Sequence, residues 1–362
     1  MTFTLDEISV LCVYSALAVY AIAFIAYSLD LARRGAVAAQ AADAKAAEAE
    51  AEAEAALEPA TVGAALAAQR SAAAAGASAA AGGGELDAPV KRSRWARATE
   101  AGASVEYGRS PSLRVAVAMT VLAWVLHFAG VLLRGLAAGR VPWANMYEFA
   151  LTGTLIVTTV FLVVLLVVKQ DLRFLGTFVT GLVLVLLGVA TVNFRVDVVP
   201  LPPALQSAWL VIHVFVATAS VGFFALGFAL SLVQLLQARR EAVVATAESV
   251  KRSFLATLPD STTLENLAYR VNIVGFIFWT FTLIAGAIWA EKAWGRYWGW
   301  DTKEVWTFII WVVYAGYIHA RATRGWRGTR SAWLSIIGFS AVLFNFTVVN
   351  LFFKGLHAYS GL

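Results

Sequence analysis

Cysteine and charged residues are the two classes that this sequence has least of. It contains one cysteine, Cys12, among 362 residues, and its charged residues amount to 14%. One thiol cannot form an internal disulfide, a dithiol redox pair, or a four-cysteine zinc or iron–sulfur site. Soluble domains carry about 25% charged residues. The shortage of charge therefore argues against a water-soluble globule.

The sequence is instead rich in apolar residues. They make up 60% of the chain, and the mean hydropathy is +0.72. A helix that spans a bilayer needs about 20 mostly apolar residues, and we identify eight such runs. They cover roughly Ile8–Leu29, Val115–Leu133, Phe149–Val168, Phe174–Val192, Trp209–Leu236, Val271–Ala290, Val305–Ala320 and Ala332–Phe353. This pattern predicts an all-α polytopic membrane protein with about eight transmembrane helices.

The distribution of charged residues predicts how the chain is oriented. Acidic Asp6 and Glu7 precede the first span and Arg33 and Arg34 follow it, which argues against a cleaved signal peptide. The loops after the odd-numbered spans hold most of the lysine and arginine, so we expect them to face the cytoplasm. Both termini are then extracytoplasmic, in agreement with an even number of spans. Since basic residues in a membrane protein first set topology, the net charge of +5 predicts no nucleic-acid partner.

Residues 35–110 interrupt the apolar pattern. They contain an Ala/Glu run at 46–56, an Ala/Gly/Ser tract at 71–84 and a basic segment at 91–97. Because this composition offers no large apolar face to bury, we expect a cytoplasmic, mostly disordered linker. The alternative is a docking segment for a partner or for anionic lipid. The predicted organisation is a first transmembrane helix at 1–34, the linker at 35–110 and a seven-helix domain at 111–362.

The loop between the sixth and seventh spans is rich in aromatic residues. The segment Trp294–Trp306 holds four tryptophans and a tyrosine within thirteen residues, together with two glycines. Tryptophan and tyrosine favour the membrane interface, so an aromatic belt is one interpretation. A belt needs only one or two rings at a helix end. The higher density favours a flat apolar platform for a large planar ligand, which glycine lets the backbone approach closely.

The four histidines all lie outside the predicted cytoplasmic loops. His213 and His357 are on the same outer face as the tryptophan-rich loop, whereas His127 and His319 lie within spans two and seven. Two imidazoles beside a stacked aromatic platform suit haem, whose iron takes axial imidazole ligands. For each buried histidine the alternative is a polar group that is hydrogen-bonded to a neighbouring helix.

Any haem at such a site is expected to be held non-covalently and to be able to leave. Covalent attachment to this chain through a C-x-x-C-H sequence needs two cysteines, and only one is present. We expect Arg296 or Lys303 to pair with the two propionates of the haem. We expect Asp301 and Glu304 to fix the loop or to orient an imidazole; the alternative is that they are acidic residues at the start of a helix.

The tryptophan-rich segment resembles the WWD sequence of haem-handling proteins in cytochrome c assembly. Within them it is similar to the CcsA/ResC subunit of the System II cytochrome c synthase (the actinobacterial "CcsB" type). The similarity extends over nearly all of residues 115–362, although Thr302 stands where that family usually has proline. The other stretches that carry it are Pro142–Glu148, Pro203–His213, Tyr269–Arg270, Tyr317–Arg321 and Gly355–Tyr359.

The resemblance implies that the chain conveys or presents haem b for attachment to apocytochrome c. A loop at 291–306 on the outer face of a bacterial plasma membrane would hold the haem transiently between two histidines. A third histidine would bind haem near the cytoplasmic side, opposite a ligand from a ResB-type membrane subunit. The chain would be the haem-presenting part of a holocytochrome c synthase. The candidate residues are His213 and His357 (axial ligands), His319 (inner ligand), Trp294, Trp298, Trp300, Asp301 and Trp306, with His127 as a further candidate that has no assigned role.

Three other classes of membrane protein stay open on the sequence alone. A respiratory cytochrome b pairs histidines within one helix, whereas each histidine here lies on or beside a different span. A small-solute transporter is expected to show broken helices and an internal repeat, neither of which is clear. A purely structural anchor leaves the tryptophan-rich loop unexplained.

Overall fold

The structure is a computed structural model, and it describes residues 3–57, 110–201, 203–246, 253–323 and 325–357. Within these ranges the chain forms nine α-helices, three short 3-10 helices and no β-strand. The α-helices are α1 (Leu5–Leu57), α2 (Pro111–Ala138), α3 (Met146–Val167), α4 (Gly176–Asn193), α5 (Ala208–Thr246), α6 (Ser261–Trp294), α7 (Thr302–Ala322), α8 (Thr329–Phe346) and α9 (Val348–Phe352).

Helix ends fall at residues that satisfy the unpaired backbone groups there. The side chain of Ser110 accepts from the backbone of Leu113 at the start of α2, which also has proline as its first residue. Asn145 caps α3 in the same way. Helices α2 and α6 end at Gly139 and Gly295, with φ of 61° and 68°, a conformation that glycine adopts without strain.

Seven helices are long and apolar enough to cross a membrane, namely α1 to α6 and α8. They correspond to seven of the eight predicted spans, so the chain is an all-α multi-pass membrane protein. The remaining predicted span, Val305–Ala320, lies in α7. This helix has 21 residues, about 31 Å at 1.5 Å per residue, which is long enough to span. Its tryptophan, tyrosine and histidine side chains make it less hydropathic than the other seven helices.

Successive helices run antiparallel. The odd-numbered helices α1, α3, α5 and α7 begin at one end of the bundle, where α2, α4, α6 and α8 end. We call this the histidine end, because His213 and His357 both lie there. Asp6 at the start of α1 pairs with Arg134 near the end of α2. His357, the last described residue, pairs with Asp301 just before α7. Both described ends of the chain therefore lie at the histidine end.

The first helix is longer than predicted. Helix α1 continues without a break to Leu57, and it packs along α2 and α4. The prediction of a disordered linker is therefore wrong for residues 35–57, where alanine and glutamate extend the helix because both have high helix propensity. The rest of the predicted linker, residues 58–109, lies outside the described residues.

Five buried apolar clusters among the described residues hold the bundle together, and the two largest involve α3 to α8. Phe224 of α5 stacks on Tyr314 of α7 with ring centroids 3.6 Å apart, and residues of α6 and α8 pack around this pair. A second core includes Phe161 of α3 and Val183 of α4, both with no exposed surface. Helices α3, α5, α6, α7 and α8 are thereby held side by side around the histidine end.

Buried charges at the histidine end are paired with one another. Arg134 and Glu148 have no exposed surface, and their side chains are 3.0 Å apart. Arg134 also binds Asp6 at 2.7 Å, and Arg140 binds Glu148 at 2.6 Å. Charges inside a protein persist only where such pairing offsets their desolvation. The network fixes the end of α2 against the start of α3.

Candidate functional site: a cavity lined by two histidines

An open cavity of about 240 Å³ lies at the histidine end, among α3, α5, α6, α7 and α8. Its wall is mostly apolar and carries a small number of polar side chains. Such a composition is typical of small-molecule sites, in which a few polar groups fix the orientation of the ligand. The residues of the wall on which the chemistry depends are His213, His357, Trp289, Trp298, Asn145 and Lys303.

His213 lies near the start of α5, and its ring is fixed by α6. Its Nδ1 atom lies 3.0 Å from the carbonyl oxygen of Thr282. A carbonyl oxygen can only accept, so Nδ1 carries the proton and Nε2 keeps its lone pair. Gly286 makes the close approach possible, because a Cβ there would lie 2.8 Å from Cε1 of His213. The ring is therefore held with Nε2 as its available ligand atom.

His357 follows α9 and is held by Asp301, the residue before α7. Its Nδ1 lies 2.7 Å from Oδ2 of Asp301, whose Oδ1 accepts from the backbone N–H of Leu356 at 3.1 Å. The hydrogen bond from His357 holds the pKa of Asp301 below its usual value, despite partial burial. Because a carboxylate accepts from Nδ1–H, the neutral form of this ring has its lone pair on Nε2.

Glu304 holds the loop before α7 in one shape. Its Oε2 accepts from the backbone N–H groups of Gly299 and Asp301, at 2.8 and 3.1 Å. With Asp301 it forms a capping box at the start of α7. Of the two roles expected for these acids, Asp301 has both, since it caps the helix and orients an imidazole. Glu304 contacts the loop backbone.

Trp289 contacts both histidines, and it is not among the predicted site residues. Its ring is stacked on His213 with centroids 5.9 Å apart and meets His357 edge-on at 5.4 Å. The two imidazole centroids can be no further apart than the sum of these distances, 11.3 Å. Trp289 belongs to the predicted sixth span, Val271–Ala290. Its position five residues before Trp294, near the end of the same helix, was the available signal.

Two of the four predicted tryptophans are next to the histidines. Trp298 lines the cavity. Trp294 packs edge-on against His357 with ring centroids 4.9 Å apart, and it also contacts Trp289 at 4.8 Å. Trp289 and Trp298 thus give the cavity aromatic surface, and Trp294 packs against Trp289 and His357 without lining it.

The other two predicted tryptophans point elsewhere. Trp300 is 78% exposed and has a φ of 57°, a left-handed conformation that is uncommon for any residue except glycine. Its ring meets Trp298 edge-on at 5.8 Å. Trp306 packs on Phe344 of α8 with centroids 4.4 Å apart. Neither Trp300 nor Trp306 lines the cavity.

The remaining two histidines lie apart from the cavity. His319 is exposed on α7, seventeen residues after its start and thus about 25 Å along the helix. His127 is fully buried, with Nε2 2.9 Å from the carbonyl oxygen of Leu151 and Nδ1 3.3 Å from the hydroxyl of Tyr20. Both nitrogens of His127 have partners on neighbouring helices.

Of the two cations expected near the ligand, one lines the cavity. Lys303 does so, and its amine donates to Oδ1 of Asn350, a neutral amide. Burial lowers the pKa of Lys303 to about 8, an effect that Asp301 only partly offsets. Arg296 is exposed, with its guanidinium over Gly299.

Comparison with known proteins relates this site to one family. Residues 143–357 match the family model described as cytochrome C assembly protein. The cytochrome c biogenesis protein CcsA of Guillardia theta is 36% identical over 244 residues, which cover 63% of this chain and 80% of the relative. The CcsA of Trieres chinensis is 33% identical, covering 67% and 85%, and that of Synechococcus elongatus is 35% identical, covering 62% and 81%.

The matched region contains every cavity residue named above and more than half of the chain, and it begins after α1 and α2. The similarity extends over most of the length of these relatives. The chain therefore belongs to the cytochrome c assembly protein family.

Proposed function

We propose that this chain acts in cytochrome c biogenesis by binding haem b in the cavity, with Nε2 of His213 and Nε2 of His357 as axial ligands. One observation carries the proposal: each ring donates Nδ1–H to a fixed protein oxygen and keeps a lone pair on Nε2. Histidines that bind metals typically donate their other N–H to a carboxylate or a backbone carbonyl. One acceptor of each kind is present here.

The composition of the cavity supports a macrocycle held from both faces. Imidazole nitrogens bind metals at about 2 Å, so two ligands to one iron need a centroid separation that the 11.3 Å upper limit permits. Trp289 and Trp298 supply apolar ring surface for the macrocycle, and Trp294 packs against His357. With one cysteine in the chain, the binding is non-covalent and transient.

The contribution of the chain to the reaction is positioning. His213 and His357 set the plane of the macrocycle, Asp301 holds His357 in place, and the tryptophan rings exclude water. When bound, haem supplies two vinyl groups, and an S–H of the apocytochrome c adds across each, sulfur to one carbon and hydrogen to its neighbour. Holding reactants in the correct relative orientation lowers the reaction barrier by about 7–11 kcal/mol in well-oriented reactions. One of the two histidines must then give way to the histidine of the acceptor.

The orientation in the membrane and the partner follow from the same proposal. Basic residues in the loops at the opposite end support an extracytoplasmic histidine end in a bacterial plasma membrane. The exposed ring of His319 lies towards that opposite end. This exposure supports an inner haem contact that is completed by a ResB-type membrane subunit. The proposal takes residues 111–362 as the haem-handling domain; of the predicted outer loop at 291–306, residues 295–301 form the connection and the rest belongs to the ends of α6 and α7.

The absorption spectrum of the purified full-length chain with added haem tests the axial assignment. The wild-type chain is expected to give a low-spin bis-histidine spectrum. His213→Ala and His357→Ala should each lose it, and cytochrome c maturation should fall with it. Free imidazole is expected to restore the spectrum, because it fits the space that the truncated side chain leaves. If both variants keep the wild-type spectrum and maturation, the axial assignment is wrong.

A further inference from the structure

Two buried hydrogen-bond donors on the cavity wall have no acceptor among the described residues. They are the indole Nε1–H of Trp143 and the amide Nδ2–H of Asn145. Asn145 is 6% exposed, and its Oδ1 accepts from the backbone N–H of Glu148 at 2.9 Å. That bond fixes the amide, so Nδ2 cannot reach an acceptor by rotating. Buried donors without a partner are rare in folded proteins, and a pair on one cavity wall points to a ligand.

A positive charge lies close to these donors. Lys303 donates to Oδ1 of Asn350, and Nδ2 of Asn350 lies 3.8 Å from the sulfur of Met146. Met146 is the residue after Asn145 and the first of α3. The amine of Lys303 is thus one side chain away from the start of α3, and it lines the same cavity.

The start of α3 adds to the positive potential. This helix has 22 residues, and the N-terminus of a helix carries partial positive charge on its unpaired N–H groups. The acidic residue in its first turn, Glu148, is already paired with Arg134 and Arg140. Two neutral donors, one amine and a helix N-terminus therefore belong to residues that line the same cavity. An anion with two acceptor atoms, such as a carboxylate, complements this set.

We propose that Trp143, Asn145 and Lys303 form a carboxylate subsite that binds the propionate edge of haem. The inference rests on the proposed function, because the carboxylate belongs to the macrocycle held by His213 and His357. Two axial ligands fix the plane of a macrocycle but leave it free to turn about the axis through the iron. The subsite fixes that rotation. It directs the vinyl edge, which is remote from the propionates, away from α3 and towards incoming thiols.

Titrations with three haem compounds separate the contribution of the carboxylate subsite to affinity from that of the two axial histidines. Equilibrium titrations of the full-length chain use haem, its dimethyl ester, which masks both carboxylates, and mesohaem, which has ethyl groups in place of the vinyls. All three are expected to give the bis-histidine spectrum. Haem and mesohaem should bind with similar affinity. The diester should bind about 10- to 100-fold more weakly, since hydrogen bonds to a charged group are lost. Equal affinity for haem and diester would overturn the subsite and leave the axial assignment intact.

A double variant assigns the effect to named atoms. Trp143→Phe keeps the ring and removes its N–H, and Lys303→Met keeps the length and removes the charge. Haem should bind this double variant about as weakly as the diester binds wild type, whereas affinity for the diester should not change. The unchanged diester affinity also shows that the variant is folded. A matched control, Trp333→Phe with Lys354→Met, changes an exposed tryptophan and an exposed lysine outside the cavity and should bind like wild type.

Loss of haem affinity in the control, or wild-type haem affinity in the double variant, would overturn the subsite. Absence of a bis-histidine spectrum with every ligand in the wild-type chain would instead overturn the proposed function, and the subsite with it.

Discussion

The two cavity histidines are partly buried and His127 is fully buried, and their rings are hydrogen-bonded through opposite nitrogens. His213 and His357 each donate Nδ1–H to one protein oxygen, which leaves Nε2 with a lone pair at the cavity. His127 donates Nε2–H to the carbonyl oxygen of Leu151, and its Nδ1 lies beside the hydroxyl of Tyr20. A buried histidine can bind a metal only where one nitrogen is left over, so burial alone does not identify a ligand.

The surroundings of the cavity histidines also differ from those of His127. His213 faces a cavity, and glycine at position 286 of α6 allows its ring to sit against that helix. His127 lies in closely packed surroundings, with Tyr20 edge-on at 5.9 Å. The family match at residues 143–357 contains both cavity histidines and leaves out His127. The contrast predicts that changes around the cavity affect haem binding and that changes around His127 affect stability.

The largest effect on haem affinity, short of removing an axial ligand, is expected at Asp301. Asp301→Ser retains a good N-cap residue for α7 but is too short to reach His357, so the imidazole loses its acceptor. Groups that orient a metal ligand typically contribute 10- to 100-fold to affinity, about 1.4–2.7 kcal/mol. We expect a loss of that size in spectroscopic titrations with haem.

Asp301→Asn is the matched control, because asparagine caps a helix equally well and keeps a side-chain oxygen that accepts from Nδ1–H. It should retain most of the affinity. If the serine variant binds haem like wild type, Asp301 acts only as a helix cap, and the distinction between the two histidine environments weakens.

Much of the fold could be predicted from the sequence, because a chain that crosses a bilayer must form long apolar helices. Seven of the eight spans coincide with apolar helices, and the eighth, in α7, is a helix of sufficient length. The linker prediction failed at residues 35–57 for an equally physical reason. Apolar periodicity reports burial, whereas a run rich in alanine and glutamate can stay helical without a buried face.

The cavity could be predicted from the sequence only in part. His213 and Asp301 stood out as polar residues beside aromatic ones, but the contact of Trp289 with both histidines depends on how α5 and α6 pack. The unpaired donors of Trp143 and Asn145 are likewise visible only once α3 is placed against the cavity. Sequence spacing indicates which residues share a helix face, not which faces meet.

A smaller effect on haem affinity is expected when an added methyl group displaces the ring of His213. In Gly286→Ala the added Cβ would lie 2.8 Å from Cε1 and 2.9 Å from Nδ1 of His213, so the ring must shift by a few tenths of an ångström. This shift changes both the hydrogen bond from His213 to Thr282 and the direction in which Nε2 points. We expect haem affinity to fall about threefold to tenfold, because a misplaced ligand loses part of its orientation.

Gly188→Ala is the control for adding a methyl group to a transmembrane helix. A Cβ at position 188 of α4 has no heavy atom within 4 Å among the described residues. Haem affinity should not change, and thermal stability should stay equal or rise slightly, since alanine favours helix over glycine. A Gly286→Ala chain that binds haem like this control would show that α6 does not hold the His213 ring.

The smallest effect on haem binding is expected where the buried histidine is already fully bonded. His127→Leu removes the hydrogen bond to Leu151 and the contact with Tyr20, whose hydroxyl keeps Thr158 as a partner. Lost buried hydrogen bonds cost about 1–3 kcal/mol, so the unfolding midpoint in detergent should fall. The bis-histidine spectrum and the haem dissociation constant should stay within about twofold of wild type.

Haem stoichiometry makes the His127 result decisive. A pyridine haemochrome assay should give the same ratio of haem to protein for His127→Leu and wild type, whereas His213→Ala should lower it. Because Nε2 of His127 is tied to Leu151, haem could reach it only if α2 separated from α3, which the packed interior opposes. A lower haem ratio in a folded His127→Leu chain would mean that this separation occurs, and that hydrogen bonding in the resting structure does not distinguish ligands from structural histidines.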